Sequence, residues 1–151
     1  MEEIKIHVVS ATAIIIRGKK ILIAQRNNQP PFPSQWTVPG GKITTEDYVH
    51  SQPNKQGLWY GAVERAVKRE VKEEVGLAIG PLRYVCEMTF IRPDKMPGLI
   101  LSYYAYHKSG RVRLGPDLVD FAWVTAKEAE KYDLIDGIID EIRIVAKKAN
   151  L

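Results

Sequence analysis

Two apolar, β-branched runs open the chain, Ile4 to Ile16 and Ile21 to Gln25, separated by Gly18 and its lysines. Such a pair reads as two strands joined by a hairpin turn. Leu82–Arg92 and Leu99–Lys108 repeat the pattern around Pro93-Asp-Lys-Met-Pro-Gly98, and Phe121–Val124 reads as a shorter strand. Asn27–Ser34, with three prolines, reads as a loop. Elsewhere the period lengthens to that of a helix, over Ala62–Val75, Ala126–Lys131 and Ile135–Lys148. Strands interleaved with helices predict the α/β class, as a sandwich. The chain shows no internal repeat or low-complexity segment.

The first of these helices carries acids on its apolar side. Ala62, Val63, Ala66, Val67, Val71 and Val75 form one arc, with Arg65, Lys68 and Lys72 opposite. Glu70 and Glu74 fall inside that arc and Glu73 at its edge, at spacings that cluster side chains on one helical surface. Burying carboxylates costs several kcal/mol or more without compensation. Gly76 reads as the helix stop, so the acids also meet the negative end of the helix dipole. A bound cation resolves both penalties, and an all-oxygen site suits Mg²⁺ or Mn²⁺. Solvated glutamates on a charged helix are the alternative.

Upstream, Trp36-Thr-Val-Pro-Gly-Gly-Lys-Ile43 is an apolar segment broken by Pro39 and paired glycines, which allow backbone to approach a ligand closely. By itself Pro-Gly-Gly is only a turn. Together with Arg69-Glu-Val-Lys-Glu-Glu-Val-Gly-Leu77 it resembles the signature of the Nudix hydrolases: Gly, five residues, Glu, seven residues, Arg-Glu-apolar-x-Glu-Glu-x-Gly-apolar. The second half matches at every fixed position. In the first half Gly41 is followed after five residues by Asp47 in place of Glu, and about fourteen additional residues, 47–60, form an insertion.

The resemblance implies a mixed sheet between helices, an α/β/α sandwich, and hydrolysis of a diphosphate linkage in a nucleoside diphosphate derivative by water attack on phosphorus. It implies Mg²⁺, with Mn²⁺ as substitute, held by Glu70, Glu73, Glu74 and the carbonyl of Gly40, with Arg69 bracing the loop. Asp47 and Glu46 are the candidate partners of Arg69, Asp47 by register. Glu74 is the favoured general base, with Glu73 beside it; Asp117 and then Asp120 are the downstream alternatives. Gly41, Arg26, Trp59 and Tyr60 are candidate substrate contacts, joined by Tyr48 and His50 from the insertion, and Arg17 and Arg92 are weaker phosphate candidates. Pro93 lies sixteen residues beyond Leu77, a spacing associated in the family with ADP-ribose pyrophosphatases. Nucleoside triphosphates and dinucleoside polyphosphates stay open as substrates. A non-catalytic nucleotide-binding regulator and an RNA 5′-pyrophosphohydrolase are the alternative readings.

Composition changes this picture little. A length of 151 residues, 45% of them hydrophobic, predicts one domain, residues 1–151, with a real core. The single cysteine, Cys86, excludes an internal disulfide, and the acidic start without an apolar signal core predicts a cytoplasmic protein. No apolar run approaches the ~20 residues of a membrane span. The net charge of +4 comes from scattered basic residues, so it predicts no stable nucleic-acid partner. A small nucleotide is the expected partner, and a homodimer is compatible with the sequence.

Overall fold

The computed structural model describes residues 5–151. Strands β1 (Val8–Arg17), β2 (Lys20–Arg26), β3 (Trp36–Thr37) and β4 (Gly40–Lys42) lead through a 3₁₀ turn at Thr45–Asp47 into helix α1 (Ala62–Val75). Strands β5 (Ala78–Ile79), β6 (Arg83–Ile91), β7 (Pro97–Ser109) and β8 (Leu118–Val124) follow, then helices α2 (Ala126–Ala129) and α3 (Ile138–Lys148). The strands share one mixed sheet in which β1 runs parallel to β7, while the other pairings are antiparallel.

The middle of this sheet is covered on both faces, which explains why β1 and β2 read as nearly continuous apolar runs. Ala11, Ala13 and Ile15 of β1, with Leu22 and Ala24 of β2, pack with Val67, Val71 and Val75 of α1. Ile14, Ile16, Ile21 and Ile23 face the other way, onto Ile138, Ile142 and Val145 of α3. Each fully buried aliphatic side chain contributes about 1.5–3 kcal/mol. Removing most of one, as in Ile142→Ala, is expected to cost about 2–5 kcal/mol because the packed sheet leaves a cavity.

The predicted elements are present with shifted edges. Of the strand expected from Ile4, the described part begins at Val8, and Ile4 lies outside the described residues. The helix expected from Ile135 begins at Ile138. Leu134 bridges to Trp36 and the Ile135 amide donates to the Trp36 carbonyl, and Gly137 at φ 92° then turns the chain into the helix. Helix α2 stops at Ala129, so Lys131 lies in a turn. Strand β8 starts at Leu118, three residues before Phe121, which puts Asp120 in a strand instead of a loop. Strands β3, β4 and β5 have two or three residues each, too few for a periodic signal. Among the described residues no helix is long and apolar enough to cross a membrane.

Candidate active site

The site is assembled where α1 passes the glycine strand β4. Helix α1 is bounded by two glycines in the left-handed region, Gly61 at φ 77° and Gly76 at φ 73°, and the Gly76 amide closes the last turn on the Lys72 carbonyl at 3.0 Å. Strand β4 pairs with β1 in the register Thr12 opposite Gly40 and Ala11 opposite Gly41. A Cβ on Gly40 would lie 2.8 Å from Thr12 Cα, and one on Gly41 would collide with the Glu70 carboxylate. The paired glycines are therefore what allows an α1 carboxylate to rest against the strand backbone.

Glu70 and Glu74 are in side-chain contact, one helical turn apart. Burial, followed by the charge of Glu70 and the hydrogen bond with it, pushes the Glu74 carboxyl up to about 8; an amide hydrogen bond from Gly40 and the charge of Arg26 oppose this. The Gly40 contact seen with Glu74 is thus through its N–H. Glu73 points outward and accepts from Arg69 Nη1 at 3.1 Å. All three glutamates line one pocket of about 180 Å³, completed by Gly115, Pro116, Asp117 and Leu118. That far wall is held by α1 itself: the Arg113 amide donates to the Val75 carbonyl at 2.9 Å, and the Gly115 amide to the Glu74 carbonyl at 2.8 Å. These bonds satisfy terminal carbonyls of the helix and carry Asp117 to the pocket mouth. Of residues 115–118 only Asp117 was a candidate from the sequence, by the resemblance; no local pattern marked Gly115, Pro116 or Leu118 as pocket lining.

Arg69 is held from outside the helix by Asp47. Its Nε and Nη2 reach Asp47 Oδ1 at 2.9 and 2.8 Å, while Nη1 donates to Glu70 Oε1 at 3.0 Å. The Asp47 side chain is 2% exposed and takes the Thr44 amide on Oδ2 at 2.8 Å. Glu46, the other candidate, bonds instead to His50 at 2.8 Å.

Arg26, at the end of β2 opposite Leu118, stands close enough to Glu74 to influence its titration, and its buried Nε has no hydrogen-bond partner among the described residues. The insertion packs largely on itself. Trp59 stacks obliquely on Tyr48 with centroids 5.4 Å apart and donates its indole N–H to the Ser51 carbonyl at 2.8 Å, whereas Tyr60 is 76% exposed. Neither Trp59 nor Tyr60 lines the carboxylate pocket. Asp120 is also outside its lining, with Oδ1 accepting from the Phe121 amide at 2.8 Å. Arg17 stacks over Trp123 at 4.1 Å, and Arg92 forks onto Asp94 in the β6–β7 turn.

Among the described residues no three His, Cys, Asp or Glu side chains converge on one point, and Arg69 Nη1 sits between Glu70 and Glu73, bonded to both. The donor set still fits a hard divalent cation. Glu70 and Glu74 offer adjacent carboxylate oxygens, and the proton that Glu74 retains near neutral pH stands where a cation would neutralise the pair.

The chain belongs to the Nudix family: the NUDIX domain model matches residues 6–143. It is by class a hydrolase acting on nucleotide diphosphate linkages. It is 28% identical, over 90% of its length and 86% of the relative, to a Mycobacterium tuberculosis protein provisionally named 8-oxo-dGTP diphosphatase 2. To the nucleoside triphosphatase NudI of Escherichia coli it is 23% identical over 78% of this chain and 80% of that one. Its fold superposes on the crystal structure of a MutT NUDIX hydrolase from Burkholderia pseudomallei with a TM-score of 0.70, at 25% identity over 91% of this chain and 97% of that one.

Proposed function

We propose that this chain is a divalent-cation-dependent pyrophosphohydrolase of nucleoside triphosphates, including oxidised ones. The observation that carries the reading is the Glu70–Glu74 pair, pressed against the Gly40–Gly41 backbone in a pocket whose other rim holds Asp117. The two relatives named above, matched over most of both chains, carry triphosphate or oxidised-triphosphate names, which favours this class over ADP-ribose.

Glu70, Glu73 and Glu74, with the Gly40 carbonyl, would hold Mg²⁺ or Mn²⁺. When bound, the cation neutralises phosphate charge and lowers the pKa of water. Arg69, anchored by Asp47, keeps Glu70 in place, and Gly41 leaves room for it. Arg26 supplies a fixed positive charge toward phosphate oxygens at the same end of the pocket. Glu74 accepts the proton of the attacking water, with Asp117 as the second carboxylate within the pocket lining. The lone, half-buried Cys86 is consistent with a reducing, cytoplasmic setting.

The test is phosphate and pyrophosphate release across nucleoside triphosphates, 8-oxo-dGTP, ADP-ribose and dinucleoside polyphosphates, with and without Mg²⁺. Glu74→Gln and Asp117→Asn are run beside the wild type. Triphosphate turnover that needs Mg²⁺ and falls by several orders of magnitude in Glu74→Gln, but little in Asp117→Asn, supports the assignment. The reverse ranking moves the base to Asp117. Binding without turnover of any of these compounds points to a nucleotide-binding regulator.

A further inference from the structure

The two long outer strands of the sheet are finished differently. Strand β8 pairs with β2 alone and β6 with β7 alone. On β8 the Phe121 amide is taken by Asp120 Oδ1 at 2.8 Å, so a carboxylate occupies that edge and deters another strand from pairing there. The last five residues of β6, Glu87 to Ile91, carry one charge, that of Glu87, and no side chain caps their edge.

The hairpin that follows decides which groups of β6 face outward. The Arg92 amide donates to the Met96 carbonyl at 3.0 Å and closes the β6–β7 turn, while Pro97, opposite Ile91, has no N–H to give. Bonded and non-bonded pairs alternate along an antiparallel ladder. Phe90 and Met88 therefore bond to β7, and Glu87, Thr89 and Ile91 turn their N–H and C=O away from the sheet, where no backbone group of the described residues meets them. Their side chains are exposed, Ile91 at 69%. On the opposite face of the strand the Phe90 ring covers Gly98 so closely that a Cβ there would collide with it, yet Phe90 is 40% exposed, and Met88 is half-buried.

An open backbone edge flanked by apolar side chains is a template for a further strand. We propose that β6 pairs antiparallel with β6 of a second copy of this chain, about a two-fold axis at Thr89, and that the protein is thereby a reversible homodimer. In this register Thr89 faces the partner's Thr89, and Phe90 lies against the partner's Met88, a thioether–aromatic contact made twice. Ile91 covers the aliphatic stem of the partner's Glu87, and all three outward residues exchange bonds, roughly six in total. An axis at Glu87 would set two carboxylates opposite each other, which is destabilising. An axis at Ile91 would run the pairing into the Pro93 turn. The two-fold contact closes on itself, and the Asp120 carboxylate on β8 keeps the other edge from extending it. About five residues a side is well below the ~20–30 of a standard interface, so the dimer forms only at high concentration. No residue of β6 lines the carboxylate pocket, so pairing leaves each site open.

The experiment is sedimentation equilibrium of the whole chain from about 10 μM to about 1 mM, with amide hydrogen exchange at both ends of that range. The wild type is expected to pass from monomer to dimer, and the Thr89 amide to gain protection as it does. Thr89→Pro removes an outward N–H and no bond to β7, and proline is tolerated at an edge facing solvent. It is expected to weaken association about 10-fold or more with the circular dichroism of the dilute protein unchanged. Ile91→Lys, which places a charge on the same edge, is expected to do likewise and carries the test if Thr89→Pro does not fold. A wild type that stays monomeric throughout, assemblies larger than a dimer, or folded variants that associate as tightly as the wild type would overturn the proposal.

Discussion

The Glu70 carboxylate lies against Gly41 so closely that the strand has no room for a Cβ there. Helix and strand are thereby fixed at a separation that only glycine permits. Gly41→Ala must push Glu70 away from its bond with Arg69 and its contact with Glu74. We expect a 10–100-fold loss of Mg²⁺ affinity, by analogy with the loss of residues that orient metal ligands, with the sheet intact. Metal titration beside circular dichroism checks this, and unchanged affinity would show that Glu70 relocates at no cost.

Glu74 makes the metal-free protein sensitive to pH. Its folded-state value of about 8 lies well above the unfolded value near 4.3. Between these values the native state binds more protons than the unfolded one, so this contribution to stability falls as pH rises from about 4 and is gone above about 8. Glu74→Gln removes the penalty. In EDTA at pH 9 the variant should be more stable by on the order of 2 kcal/mol, less than the full linkage value because part of the carboxyl remains hydrated. The difference should close below pH 4 and shrink with saturating Mg²⁺. Denaturant melts across that range test it.

Asp47 is buried and accepts from Arg69 and the Thr44 amide, so its loss leaves a guanidinium bonded only to the metal-site acids. Asp47→Ala is expected to cost about 1–3 kcal/mol, as for a broken charged hydrogen bond. It should also weaken Mg²⁺ binding, since Arg69 then competes for Glu70 and Glu73. Asp47→Glu should recover part of both. Stability and affinity both at wild-type levels in Asp47→Ala would refute the bracing role.

Between Asp47, bonded to Arg69, and Tyr60, whose carbonyl accepts from Arg65, the insertion bonds within itself, with the Trp59–Tyr48 stack and Asn54 Oδ1 accepting from the Gln56 and Leu58 amides. Trp59→Ala should therefore open the segment to proteolysis while changing global stability by less than about 1 kcal/mol, because few core contacts depend on it. Limited proteolysis beside urea unfolding distinguishes this from a segment integral to the core, whose loosening would lower both.

The legible part of the site was the part written along one helix. Glu70, Glu73 and Glu74 stood out because local periodicity places them on a face that the valines commit to the core. Residues 115–118 carried no comparable pattern, since they reach the pocket by capping α1 carbonyls across many intervening residues. Glu141 borders the apolar stripe of α3, and one acid at such an edge carries little signal until Ser102 and Cys86 are seen against it. Arg17 and Arg92 looked equivalent to Arg26 as isolated basic residues; Trp123 and Asp94 engage them elsewhere, while Arg26 alone of the three acts on Glu74.

The sequence by itself determined the class of elements, the α1 acids and the glycine pair, because periodicity and backbone permissiveness are local properties of neighbouring residues. Tertiary structure decided the parallel β1–β7 pairing, the Asp47 contact across the insertion and the place of Asp117 in the pocket wall. Those are contacts between residues far apart in sequence, fixed by strand register and by the need to satisfy buried polar groups, and no local pattern records them.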